Sequence, residues 1–211
     1  MSRMTDTYTS AYWETGEGSN YHSYGDDLGW KPLVATINHF LWLDGLGPWN
    51  VAIREVACSK GYFVKTAREW GYDAEGMDIS AHAINSAPAA VKPYLRLGNA
   101  GEALPWPDES ADVVCSWEFF EHVYEDEIDR VLAEKLRVLK AGGHLWMKIG
   151  IVTPVPQPDQ DHSHYTVQPR EWWEAKFAGA GLEHRAEIEA HLDQVFPDRD
   201  WMGRFFVWRK P

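Results

Sequence analysis

The chain has 211 residues, 45% hydrophobic and 25% charged, with a formal net charge of −12. Those numbers suit one soluble globular domain with a sizeable core and argue against a disordered chain. An acidic chain without a basic run repels phosphate backbones, which disfavours a nucleic-acid partner.

Two cysteines, Cys58 and Cys115, are too few for a disulfide framework. The opening stretch is polar and aromatic, without an apolar leader, and no segment has the length of a membrane span. The expectation is a reduced cytoplasmic protein that neither enters nor crosses a membrane. Twelve tryptophans are expected mostly in the core or in pocket walls, since large rings dominate buried area.

Residues 1–30 show no periodicity but carry Tyr8, Tyr12, Trp13, Tyr21, Tyr24 and Trp30, and read as an irregular arm or short helical lid. Apolar spacing predicts a helix over 32–43, ended by Asp44-Gly45. A strand over 50–57 follows, then an amphipathic helix over 61–71 closed by glycine. Next come a short strand over 73–80 ending at Asp78, a helix over 81–87 and a third strand over 94–100. Residues 104–111 form a turn-rich loop before the apolar strand 112–117, of the kind buried on both faces. A helix over 125–140, acidic first and basic last, matches the helix dipole; the Ala141-Gly142-Gly143 break then precedes a strand over 144–150. The Pro-rich loop 152–166 leads to a helix over 169–181 with Pro169 in its first turn. Strand-like segments at 182–190 and 203–210 finish the chain. Alternation of strand and helix predicts an α/β fold with a mainly parallel, doubly wound sheet.

Ligands of such sheets lie beyond the carboxyl ends of the strands, near the turn after the first one. That turn is Ala57-Cys58-Ser59-Lys60-Gly61. Ala57 and Ser59 are small, Gly61 leaves the helix entry unhindered, and Asp78 ends the next strand, where a carboxylate suits ribose hydroxyls. An ordinary strand–helix turn with a capping aspartate fits the same residues.

Four segments in order, Ile53–Gly61, Gly76–Ser80, the run "GNAGEALPWPDESADVVCSWEFFEHV" and "RVLKAGGHLWMKI", resemble the class I S-adenosylmethionine-dependent methyltransferases. The resemblance is close over roughly 50–150. It implies a Rossmann-like, seven-stranded, mostly parallel sheet with an antiparallel final strand. It also implies one domain over 1–211: an arm and helix forming a lid (1–45), a cofactor-binding core (50–150), and an acceptor-side loop with C-terminal strands (151–211). By position it sets Glu55 near the methionine amino group, with Ala57, Cys58, Ser59 and Gly61 under that moiety. Asp78 falls on the ribose, Ile79 beside the adenine, Asn99 and Ala100 at the adenine edge, and Trp117 and Glu118 facing the sulfonium. Ala57 and Ser59 replace glycines of the family, and Asn99 replaces an acid. Aromatic and acidic walls favour a sulfonium, which gives Trp117, Tyr62, Tyr12 and Trp13 a use besides packing.

Glu118, Glu121 and His122 resemble the Glu-x-x-Glu-His segment of ubiquinone-biosynthesis O-methyltransferases. This implies a divalent cation, Mg²⁺ by its carboxylate ligands, unless Glu121 and His122 are a structural pair. His162 and His164, in the loop after the fifth strand, and His122 are candidate acceptors of a proton from a substrate hydroxyl or amine. The implied function is methyl transfer by direct displacement from S-adenosylmethionine to a small-molecule acceptor, foremost the hydroxyl of a sugar, phenol or secondary-metabolite intermediate. The alternatives are a degenerate fold serving as a binding or regulatory partner, and a nucleic-acid or protein methyltransferase.

Overall fold

The structure is a computed structural model, and it describes residues 8–19, 25, 29–152, 161–197 and 203–211. Seven strands form one sheet: β1 Ala52–Val56, β2 Asp73–Asp78, β3 Leu95–Leu97, β4 Ala111–Trp117, β5 Leu139–Gly150, β6 Glu183–His184 and β7 Gly203–Arg209. Their spatial order is β3-β2-β1-β4-β5-β7-β6. β7 runs antiparallel to both of its neighbours and the other six strands run parallel, as the resemblance implied.

Period-2 alternation along the central strands feeds two separate cores. Ile53, Val113 and Cys115 face α2 (Trp30–Leu43), α3 (Tyr62–Glu69) and α7 (Ala186–Val195). Val56, Val114 and Ala111 face α5 (Ile128–Val138) and α6 (Arg170–Gly179). Both faces being covered explains why β4 reads as a continuous apolar run. Two short helices, α1 (Ser10–Glu14) and α4 (Ala81–Asn85), meet through Tyr12, Trp13 and Ala83. Cys58 and Cys115 are buried and unbridged. Among the described residues no helix is long and apolar enough to cross a membrane. Most tryptophans are buried, but Trp42, Trp49 and Trp70 lie exposed.

Four sequence expectations need correction. The helix placed over 125–140 ends at Val138, and β5 starts at Leu139 rather than 144. The glycines taken as a break sit inside the strand: Gly142 adopts φ 79°, and the β4–β5 register shifts between Ala111 and Val113, as at a bulge. The strand-like stretch 182–190 holds only two strand residues and then becomes α7, whose Ile188, Glu189 and Leu192 are buried on one helical face. Pro169 caps α6 from outside, with φ −66° and extended ψ, instead of occupying its first turn. Tyr21 and Tyr24 lie outside the described residues.

Candidate functional site

The carboxyl ends of β1, β2 and β4 converge on a cavity with about 800 Å³ of empty space, open to solvent. Its floor is the turn after β1. Ala57, Ser59 and Gly61 all take left-handed backbone there, at φ 64°, 49° and 73°. Left-handed backbone is routine for glycine and strained for other residues, so Ala57 and Ser59 keep the shape of a glycine turn without its glycines. Gly61 is required twice over, since a Cβ there would stand 2.7 Å from Leu95 Cδ1. Glu118, at φ 48° just past β4, is another strained residue on the cavity wall.

Asp78 is 6% exposed and lines the same cavity. Its Oδ2 accepts the Ser59 amide at 2.7 Å, and its Oδ1 accepts the Ser80 amide at 2.7 Å. Burial pushes its pKa up to about 6 against these two stabilising bonds. The Ile79 amide is a third backbone donor to the carboxylate, which with about four acceptor sites in all keeps capacity for a ligand hydroxyl.

Ile79, Asn99 and Ala100 line the cavity beside Asp78, and Trp117 and His122 line it on the β4 side. Four of the named cofactor residues stand back from it. Glu55 is buried, its carboxyl held well above the usual range by burial and the nearby Asp78. Cys58 packs against β2 at Gly76, Gly61 opens α3, and Tyr62 packs on the first core. Position alone did not single out Phe119 and Val123, in the connection after β4, or Glu127 and Val131, at the start of α5, which also line the cavity.

The roof comes from α1. Tyr8, Tyr12 and Trp13 line the cavity. Tyr12 donates to Asp161 Oδ2 at 2.7 Å, the Trp13 indole donates to Ser80 Oγ at 3.3 Å, and Glu14 accepts from Lys60 at 3.0 Å. The histidine loop joins the same roof, the His162 amide donating to the Gly18 carbonyl at 3.2 Å. His162 itself is exposed, and His164 stacks edge-on to His122 with ring centres 4.7 Å apart. His122 is thus the candidate base that lines the cavity. Burial, then the His164 charge, lowers its pKa, which leaves it neutral with a lone pair to offer.

The acid cluster fits Mg²⁺ poorly. Burial pushes Glu118 up, but the Lys148 ammonium 2.5 Å away pulls it below the ordinary carboxylate value. Burial and the neighbouring Glu118 charge hold Glu121 well above that value. A lysine therefore already balances the one carboxylate held ionised. Glu121, His122 and His164 do bring ligand atoms within 4.8 Å of one another. Two imidazoles with one carboxylate are not the all-oxygen shell that Mg²⁺ prefers.

Residues 54–147 match the family described as "Methyltransferase domain". No curated protein matches the chain. Solved structures share its fold at low identity. A SAM-dependent methyltransferase from Archaeoglobus fulgidus is 15% identical with a TM-score of 0.58, the match covering 84% of this chain and 94% of that one. Geranyl diphosphate C-methyltransferase from Streptomyces coelicolor, in complex with Mg²⁺, geranyl diphosphate and S-adenosyl-L-homocysteine, is 18% identical with a TM-score of 0.57, covering 84% and 78%. The [4+2]-cyclase SpnF is 19% identical with a TM-score of 0.63, covering 94% and 86%.

Proposed function

From the methyltransferase domain carried by residues 54–147, we propose that this chain transfers a methyl group from S-adenosylmethionine to a small-molecule hydroxyl. The observation that carries this reading is Asp78, a buried carboxylate that ends β2, lines the cavity and faces a glycine-shaped turn. Ribose hydroxyls would take the remaining acceptor capacity of Asp78. The adenine would lie among Ile79, Asn99 and Ala100, with Ala57 and Ser59 under the methionine portion. Glu55 would act from below the turn, as a support to it. Bound S-adenosylmethionine supplies an electrophilic methyl carried on a cationic sulfur.

The chain's own residues supply orientation, shielding and a proton acceptor. Trp117 and Glu118 offer an aromatic and an acidic wall, both favourable to a sulfonium. Segment 1–45 serves as a lid, with Tyr8, Tyr12 and Trp13 excluding water above the acceptor. Segment 151–211 supplies the acceptor side through its histidine loop. As the sulfur–methyl bond breaks and leaves S-adenosylhomocysteine, the acceptor oxygen would gain the methyl carbon, and neutral His122 would take the proton that the oxygen releases. A weak base suffices here, because the hydroxyl becomes strongly acidic as its oxygen gains the methyl bond. Holding the partners in line supplies most of the acceleration, roughly 7–11 kcal/mol from proximity alone.

A binding or regulatory role on the same fold is favoured by the non-glycine turn at Ala57 and Ser59. Calorimetric titration with S-adenosylhomocysteine, followed by a screen of hydroxyl acceptors with labelled donor, separates the two. Absence of binding at millimolar cofactor product overturns the assignment; binding without transfer to any acceptor supports the regulatory reading.

A further inference from the structure

A buried chain of hydrogen bonds runs from the N-terminal helix to the cavity wall. Tyr12 donates to Asp161 Oδ2 at 2.7 Å. The Ser163 hydroxyl donates to Asp161 Oδ1 at 2.5 Å, and the Ser163 amide donates to the same oxygen at 2.9 Å. His122 Nδ1 lies 2.8 Å from Ser163 Oγ and 3.1 Å from the Ser163 carbonyl oxygen. Tyr12, Asp161, Ser163 and His122 are all at most 7% exposed.

Tyr8 is a further hydrogen-bond partner of the Ser163 side chain, and the contacts of that side chain are met together when Ser163 donates to Asp161 and accepts from its other neighbours. A carbonyl oxygen only accepts, so the Nδ1 contact to the Ser163 carbonyl requires a proton on Nδ1. The Ser163 hydroxyl proton is spent on the Asp161 carboxylate, so Ser163 Oγ also accepts from Nδ1. Both contacts therefore fix the same tautomer. Nε2 is left without a proton on a ring that lines the cavity. His164 Nε2 stands 3.9 Å from Asp161 Oδ2, beyond hydrogen-bonding distance, and does not displace Ser163 from the carboxylate.

We propose that Asp161 and Ser163 are positioning residues that hold His122 as its Nδ1–H tautomer, and that Tyr12 ties the docking of the N-terminal helix to that arrangement. The partner that orients a histidine decides which nitrogen is left to work. Here the partner is a serine, and the carboxylate acts on the ring one hydroxyl removed. The two oxygens of Asp161 divide the labour: Oδ2 senses the roof and Oδ1 sets the base. When the roof lifts, the Tyr12 bond is lost and the carboxylate can re-aim, so the base is set only beneath a closed lid. The assignment of Nε2 as proton acceptor rests on the methyl-transfer reading; the tautomer and the latch do not.

The test is long-range ¹H–¹⁵N correlation on histidine-labelled protein, with and without S-adenosylhomocysteine. The expected result is a protonated Nδ1 and an unprotonated Nε2 for His122 in wild type. Ser163→Ala should bring the other tautomer to about a quarter of the population or more, and Ser163→Thr should restore the wild-type signature. Tyr12→Phe and Asp161→Asn should each speed amide exchange in residues 10–14 at least about five-fold, and Ser163→Ala should not. A wild-type His122 protonated on Nε2 overturns the proposal even if every variant misfolds. So does an unchanged tautomer in folded Ser163→Ala, or unchanged exchange in Tyr12→Phe. Failure to bind S-adenosylhomocysteine would instead sink the methyl-transfer reading and leave the tautomer result standing.

Discussion

Asp78 braces the turn above it, its Oδ2 accepting the Ser59 amide at 2.7 Å. The same carboxylate is the group assigned to ribose hydroxyls, so turn shape and ligand binding share one residue. Asp78→Asn turns one acceptor oxygen into a donor that faces an amide. S-adenosylhomocysteine affinity should fall about 30-fold or more, from the loss of charge-assisted bonds each contributing about 1.5–3 kcal/mol. Calorimetry measures this, and affinity within about two-fold of wild type would remove Asp78 from the site.

Affinity should also depend on pH through the same group. The Asp78 pKa in the free protein is raised to about 6 by burial, and the ionised form is the one that accepts ligand hydroxyls. Affinity should therefore hold above pH 6 and fall below it, approaching about ten-fold per unit well below that value. The stability linkage has the opposite sense. A carboxyl whose folded pKa exceeds its unfolded one favours folding below about pH 4, and that contribution is lost as pH rises through 6. The ligand-free melting temperature of wild type minus that of Asp78→Asn should accordingly fall between pH 4 and 7.

Ala57 and Ser59 at φ 64° and 49° carry strain that glycine would relieve. Left-handed backbone costs an L residue roughly 1 kcal/mol, partly offset by glycine's larger unfolded-state entropy. Ala57→Gly and Ser59→Gly should each change unfolding free energy by about 0.5 kcal/mol in the stabilising direction. Gly61→Ala should destabilise by about 2–4 kcal/mol, because the strain adds to overlap with Leu95. Urea denaturation of the three variants checks the ordering.

The turn was legible in the sequence because small residues and a carboxylate at fixed spacing survive the loss of glycine. Asp78, Ile79, Asn99, Ala100 and Trp117 reach the cavity because strand ends in a parallel sheet must converge there. Ser163 was invisible: between two histidines it offered no signal, and its part depends on a loop returning to His122 from 41 residues away. Glu127 and Val131 lay within a recognised helix, but the sequence did not tell which of its turns would face the ligand. The segment 182–190 misled because Glu183, Arg185, Glu187 and Glu189 alternate with less polar residues. The helical period shows only once Leu192 is read with Ile188.

Lys135 is fully buried, its ammonium 2.5 Å from Ser116 Oγ and over the rings of Phe119 and Phe120. Burial pulls its pKa down to about 7. A lysine whose folded pKa lies below its unfolded one costs stability once it must be protonated. Wild-type unfolding free energy should therefore rise between pH 7 and 10, as the unfolded chain loses its advantage in binding that proton. Lys135→Met should flatten the rise and gain stability at pH 7, where burying methylenes is easier than burying an amine. Because the raised thiols of Cys58 and Cys115 act in the opposite sense at the alkaline end, the deciding quantity is wild type minus Lys135→Met, and a difference that stays flat over that range would contradict the buried-amine assignment.

The charge of the cavity wall predicts which acceptors it takes. Among the described residues its lining holds the carboxylates Asp78, Glu118 and Glu127, and neither lysine nor arginine. Cations just behind the lining are committed to carboxylates: Lys148 to Glu118 at 2.5 Å, Arg130 to Glu127 at 2.8 Å and Lys60 to Glu14 at 3.0 Å. A phosphate or carboxylate on the acceptor would have to draw Lys148 or Arg130 away from Glu118 or Glu127 to gain a counter-charge, and its desolvation would otherwise not be repaid. Neutral or cationic ring compounds instead meet Tyr8, Tyr12 and Trp13, whose faces favour flat and positively charged groups. In thermal-shift competition on protein saturated with S-adenosylhomocysteine, phenols and aryl amines should bind at least about ten-fold tighter than their carboxylated or phosphorylated analogues. Preference for the anionic member of each pair would mean that a cation from outside the described lining completes the wall.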